Sequence, residues 1–236
     1  MLEAALLAAA LVQLALRVAG RPSLAARLLP MRGRAPFAVW AGRLWLSFAA
    51  PALIALLLIG RGEALWSLPA EFVPAAVLAR SYGRFEAWPI LTGLVLGSVL
   101  AAGVSWWRQR RGRRPFYIGR PPHLPSSPRE LPAAVLLALS AAVTEELYFR
   151  LMLPLLITLV SGSALLGVGA SALLFGAAHR YQGRVGVVAT GLVGLFLSVV
   201  YLASGDLWLA MACHAAIDVN ALVLRPALGF SSPARR

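Results

Sequence analysis

The sequence predicts an all-α membrane protein, a polytopic helical bundle of about seven spans. Of its 236 residues, 60% are hydrophobic and only 13% are charged, with mean hydropathy +0.77, far from the balance of a soluble domain. The apolar residues fall into runs of roughly 17 to 25, the length that crosses a ~30 Å hydrocarbon core. The charges lie mostly between these runs, where short loops would hold them.

In chain order, the runs are 2–17, 44–60, 87–106, 131–159, 163–179, 185–203 and 207–224. The first, from Ala4 to Leu16, is short enough for a signal peptide, but Glu3 stands where a basic leader should be, so it reads as a retained span. Arg43 marks the interfacial start of the second, and Trp40, Trp45, Trp106 and Trp107 fit interfacial belts. The stretch 64–84, broken by Pro69 and Pro74 and carrying Trp66, Glu71, Arg80 and Arg84, is too interrupted to span and reads as interfacial. The loop 108–129, basic and carrying Pro115, Pro121, Pro122, Pro125 and Pro128, divides N-terminal spans (1–107) from a second unit (130–236). Gly186, Gly191 and Gly194 in the sixth run allow close helix packing.

All 22 basic residues are arginine, a bias that fits a GC-rich bacterial coding sequence, and net charge is +13. A nucleic-acid partner is not expected, because these arginines separate apolar runs instead of covering a soluble face. They fit the positive-inside pattern beside anionic lipid headgroups. Clusters after spans one, three, five and seven place the N-terminus outside and the C-terminus in the cytoplasm of a cell inner membrane. Against this parity, Arg61, Arg80 and Arg84 fall on the outer side, among Glu63, Glu71 and Glu86. The single cysteine, Cys213, forms neither an intramolecular disulfide nor a thiolate cluster, and reads as a small packing residue. His123, in the Pro-rich loop, has no partner by spacing.

Ionisable groups inside spans need a partner or a task, and they concentrate in the last four runs. Glu146 and Arg150 are four apart on one helical face, the spacing of a structural ion pair. Glu145 is turned about 100° from Glu146 and has Phe149, not a cation, at its own i+4 position. Phe175 and His179 close the fifth run, and His214 and Asp218 are four apart in the seventh, so Asp218 can accept from one imidazole nitrogen and fix the ring. A carboxylate and two imidazoles on three spans are the groups needed to hold and deprotonate a water, by general-base action or through a metal.

These residues read Glu145-Glu146-Leu-Tyr-Phe-Arg150, then Phe175-Gly-Ala-Ala-His179, then His214-Ala-Ala-Ile-Asp218. In that order, each on its own span, they resemble the type II CAAX prenyl endopeptidase and bacteriocin-processing (CPBP, or Abi) intramembrane proteases. The resemblance covers roughly 130–224 and implies an intramembrane endopeptidase with its catalytic core in the C-terminal four spans, acting on a membrane-anchored protein or peptide. By resemblance, Glu145 activates water, His179 and His214 position it and stabilise the oxyanion, Asp218 orients His214, and Glu146, Arg150 and Phe175 support them. Prenyl-protease members usually carry Asn where this chain has Asp218, which puts a prenylated substrate in doubt and raises the plausibility of a metal. No cofactor is firmly expected, although zinc is chemically feasible on two His and up to two carboxylates. The alternatives are a non-catalytic scaffold or immunity protein of the same fold, and a small transporter with a proton relay, which should show an inverted repeat.

One depth estimate runs against the assembly. Glu145 lies ~22 Å into its span at 1.5 Å per residue, whereas His179 is followed at once by Arg180, at a span end. Either that span continues beyond Arg180 or the site is a cavity open to the cytoplasm.

Overall fold

The computed structural model of the chain describes residues 1–31, 36–83, 86–113 and 123–230. Arg32, Arg34, Arg84, Arg114, Pro115, Arg120, Pro121, Pro122, Arg235 and Arg236 lie outside the described residues. Among the described residues all regular structure is helical. The main elements are α1 (Leu2–Val18), α2 (Leu24–Leu28), α3 (Pro36–Leu58), α4 (Val73–Ser81), α5 (Ala87–Arg110), α6 (Pro128–Ser161), α7 (Ala164–Ala178), α8 (Gly183–Ser204) and α9 (Leu207–Leu228).

Five of these, α3, α5, α6, α9 and α8 with its preceding turn from Arg180, are long and apolar enough to cross a membrane. The other two runs counted in the sequence are helices as well, but α1 has 17 residues and α7 has 15. At 1.5 Å per residue these reach roughly 25 and 22 Å, against about 30 Å or more for the five. Of the seven expected spans, five are thus helices of 22 residues or more and two are shorter, in a multi-pass helical bundle.

Helix α6 is its axis. Residues 144–158 are buried without a break, as expected of a helix surrounded by others, and 56% of its apolar window is buried against 0% for α5. Helices α3, α7 and α9 pack along it, and α1 lies against its C-terminal part. The Tyr148 hydroxyl donates to the Ala10 carbonyl at 3.1 Å, and Trp45 Nε1 donates to Ser140 Oγ at 3.2 Å. Such bonds fix helices against one another in an apolar medium.

Small residues set the approach of α7. A Cβ on Gly167 would lie 2.5 Å from the Pro154 carbonyl oxygen, and one on Gly176 would lie 2.8 Å from the Val187 carbonyl and 3.1 Å from Gly191 Cα. One on Gly194 would meet the Phe175 ring at 2.8 Å. Gly191 and Gly194 thus serve the packing the sequence assigns them, whereas a Cβ on Gly186 would meet only Gln182 of its own segment.

Three turns widen to π geometry, at Trp45–Ala49, Leu147–Met152 and Asn220–Leu224. Each ends two residues before a proline, Pro51, Pro154 and Pro226. A helical proline supplies no N–H and collides with the carbonyl four residues back. A turn widened by one residue relieves both conflicts while the helix continues, and such turns recur at functional sites. Two of the three closely follow the Glu145-Glu146 pair and Asp218.

Helix α3 begins at Pro36, seven residues before Arg43, whose Nε donates to the Leu29 carbonyl at 2.9 Å. The segment after α3 does not span, as expected, but it is packed into the bundle, with Phe72, Ala75, Ala76 and Ala79 buried against the core. Two of its arginines have local partners: Arg61 pairs with Glu71 and Glu63, and Arg80 Nε donates to the Ala203 carbonyl.

Candidate functional site

Helix α6 presents Glu145 and Glu146 from consecutive positions, so their side chains diverge by about 100° and meet different partners. Glu146 is fully buried. Its Oε2 lies 3.0 Å from Arg150 Nε one turn on, close enough for an ion pair but without the alignment of a hydrogen bond. Arg150 is itself buried, with its guanidinium carbon 4.3 Å from the centroid of the Phe175 ring, a cation–π contact. Its two Nη atoms have no hydrogen-bond partner among the described residues.

The other oxygen of Glu146 holds His214, from α9. Nδ1 of His214 donates to Glu146 Oε1 at 2.7 Å, across 68 residues of sequence. The ring is the donor because a carboxylate paired with Arg150 carries no proton of its own. Asp218, expected beside the same ring, lies with its Oδ2 3.6 Å from His214 Nε2, within ion-pair range but beyond a hydrogen bond. Asp218 therefore faces the nitrogen turned toward Glu145, and Glu146 orients the ring.

His179 caps the C-terminus of α7, where its Nδ1 donates to the Phe175 carbonyl at 2.8 Å. A carbonyl only accepts, so Nδ1 carries the proton and Nε2 is left for the interior. Both imidazoles thus turn Nε2 toward one carboxylate oxygen: Glu145 Oε2 is 3.9 Å from His179 Nε2 and 4.0 Å from His214 Nε2. Phe175 packs against both rings, with centroids 4.7 Å from His179 and 6.0 Å from His214. Phe149 braces Phe175 at 5.1 Å, and the Phe149 carbonyl accepts from Ser171 Oγ at 2.5 Å. All seven residues singled out in the sequence, Glu145, Glu146, Arg150, Phe175, His179, His214 and Asp218, are brought into one cluster.

Separations of 3.9 and 4.0 Å exceed the ~3.4 Å between two ligands of a tetrahedral zinc with bonds near 2.1 Å. Among the described residues no group of three or more His, Cys, Asp or Glu side chains is disposed to hold a metal ion. The same separations suit a water: hydrogen bonds of about 2.8 Å to each atom would meet at roughly 90°.

Glu145, His179, His214 and Asp218 line one cavity of about 590 Å³. It extends to Arg17 at the end of α1, to Trp40 and Arg43 of α3, and to Arg225 of α9. A cavity reaching these arginines explains how His179, beside Arg180 at a helix end, meets Glu145 from the middle of α6. Helix α6, at 34 residues, is also long enough to tilt or project from a ~30 Å core.

Some lining residues were not legible in the sequence. Tyr181, whose ring lies 5.6 Å from His179, lines the cavity, and its nearness in sequence to His179 was the one available signal. His123 also lines it and packs against Trp40 with centroids 5.1 Å apart and ring planes inclined by 36°. Cys213 is fully buried, in keeping with a packing role.

No curated protein and no solved structure matches the chain. Residues 127–220, the segment holding all seven clustered residues, match the family model of the type II CAAX prenyl endopeptidases, Rce1-like, the family that the three motifs resemble.

Proposed function

We propose that the chain is an intramembrane endopeptidase that hydrolyses a peptide bond of a membrane-associated protein or peptide, with Glu145 as the base that activates water. The observation that supports this best is the convergence of His179 Nε2 and His214 Nε2 on Glu145 Oε2 at 3.9 and 4.0 Å, each ring held by its other nitrogen.

In this reading, a water between Glu145 and His179 gives its proton to Glu145 as its oxygen adds to the scissile carbonyl carbon. Neutral His179 carries its proton on Nδ1, so its Nε2 lone pair accepts from that water and aims it. His214, as an imidazolium with Glu146 and Asp218 as countercharges, turns Nε2–H toward the oxyanion. Collapse of the tetrahedral intermediate breaks the C–N bond, and the proton on Glu145 passes to the leaving amine. Every group is buried or lines the cavity, where fixed dipoles and charges act more strongly than in bulk water. A divalent metal and a prenylated substrate are not required by these steps. The orientation expected from loop charge, with the Arg-lined end of the cavity facing the cytoplasm of an inner membrane, belongs to the same proposal.

Mapping of protein termini in membranes from cells expressing the wild type or Glu145→Gln, at matched accumulation, tests this across all membrane proteins at once, so no substrate need be chosen. The expected result is a set of new termini in membrane proteins that disappears in the variant. Identical termini in both would overturn the assignment and favour a non-catalytic scaffold.

A further inference from the structure

Gly186 is buried although a Cβ there would meet no neighbouring helix. The group it makes room for is Gln182, one turn back: a Cβ at position 186 would lie 2.3 Å from Gln182 Cβ and 3.1 Å from its Oε1. Over that glycine the Gln182 side chain joins two hydroxyls. Thr190 Oγ1 donates to Gln182 Oε1 at 3.2 Å, and Gln182 Nε2 donates to the Tyr181 hydroxyl oxygen at 3.3 Å. Thr190, Gln182 and Tyr181 all line the Glu145 cavity, and the proposed hydrolysis uses none of them.

The series of bonds has a direction. A hydroxyl that accepts from Gln182 keeps its own proton to give, and among the described residues Tyr181 has no acceptor for it. Bonds in series polarise one another, so the terminal O–H is a strengthened donor. It is reachable, because Tyr181 is 47% exposed even with its ring 5.6 Å from that of His179. The neighbouring wall residues Ala189, Val193 and Leu222 have apolar side chains with no donor. A peptide entering here needs partners for its carbonyls, since a buried one left unpaired costs free energy. At ~3.3 Å per residue of extended chain, the spacing of the Tyr181 and His179 rings corresponds to fewer than two residues.

We propose that Tyr181 is a substrate-binding donor: its O–H, set by Thr190 and Gln182, bonds a backbone carbonyl of the peptide within about two residues of the bond presented to Glu145. That the occupant is a peptide rests on the proposed endopeptidase reading. The donor itself does not depend on turnover.

Binding to the detergent-solubilised full chain, carrying Glu145→Gln so that nothing is cut, tests it. The probe is the N-acetyl pentapeptide amide retained most tightly from a mixture with apolar residues at every position. Its carbonyls are then replaced one at a time by thiocarbonyls, which are weaker acceptors. One replacement should weaken binding about fivefold, the worth of one hydrogen bond. With Tyr181→Phe added, the parent peptide should bind about fivefold more weakly and that replacement should have no further effect. Gln182→Met should reduce the thiocarbonyl effect in part. Tyr181→Phe keeps the ring against His179, so it reports on the hydroxyl even if Gln182→Met disturbs the turn. No retained peptide, no sensitive carbonyl, or a sensitivity unchanged by Tyr181→Phe would overturn the assignment. Identical protein termini in wild-type and Glu145→Gln membranes, with the Tyr181 coupling intact, would instead overturn the peptidase reading alone.

Discussion

Replacing Glu146 by Gln removes one charge from a buried chain of contacts and should separate what that chain does for stability from what it does for chemistry. Glu146 and Arg150 are both buried, 3.0 Å apart, and breaking such a pair by removing one partner costs about 3–5 kcal/mol, because the other charge is left uncompensated. Arg150 would then retain only the Phe175 face, worth at most about 2 kcal/mol, and its Nη atoms already have no hydrogen-bond partner among the described residues. Arg150→Met should cost less than Glu146→Gln, since Glu146 keeps the 2.7 Å bond from His214 Nδ1. The double variant Glu146→Gln/Arg150→Met should recover most of the loss, as replacement of a whole buried pair by apolar or neutral groups often does. Activity should recover only in part, because the glutamine amide oxygen can still accept from His214 Nδ1 but supplies no countercharge to the ring. The assay is the apparent unfolding midpoint in detergent for wild type, both single variants and the double, with turnover measured on the same preparations. At about 2–4 °C per kcal/mol for a chain of this length, Glu146→Gln should fall by on the order of 10 °C. Additive effects, with a coupling below about 0.5 kcal/mol, would refute the ion pair as the element that holds this region. Full activity in the double variant would refute the need for the Glu146 charge beside His214.

Asp218→Asn should lower turnover by less than about tenfold and leave the unfolding midpoint unchanged, because Asp218 makes no hydrogen bond to His214 at 3.6 Å; a loss equal to that of Glu145→Gln would show that Asp218 is the orienting group after all. Gly167→Ala and Gly176→Ala should each destabilise by about 1–3 kcal/mol through overpacking, since a new Cβ would meet backbone oxygen at 2.5 and 2.8 Å, whereas Gly169→Ala on the same helix meets nothing within 4 Å and should be neutral or stabilising; equal midpoints for all three would contradict the close α7 packing. Tyr148→Phe should cost about 1 kcal/mol, the worth of one buried hydrogen bond, by releasing the Ala10 carbonyl of α1 without changing the catalytic rate. A change in rate would mean that α1 tunes the site through this tether.

Much of the candidate site was legible as local helical geometry. The four-residue spacing of Glu146 and Arg150 announced their pairing, and the lack of a cation four residues after Glu145 set that carboxylate apart. Both follow from a single helix, where 3.6 residues per turn makes neighbours computable. The same reasoning found one partner of His214 and missed another: Asp218 is four residues away and lies 3.6 Å from Nε2, but Glu146, 68 residues away, accepts the Nδ1 proton. Spacing says which residues share a face, not which way that face turns.

Composition and the length of the apolar runs determined by themselves that this is a helical membrane bundle, and the order of three short motifs marked the segment that would hold its chemistry. Only the tertiary structure decided that two of the runs are shorter helices than the other five, that α6 is the buried axis, and that Arg17 and Arg43 from the N-terminal helices reach the Glu145 cavity. The physical reason is that rotation and tilt between helices depend on contacts local periodicity does not encode: the Gly176–Gly191 approach, the Phe175 ring over Gly194, and turns widened ahead of Pro51, Pro154 and Pro226.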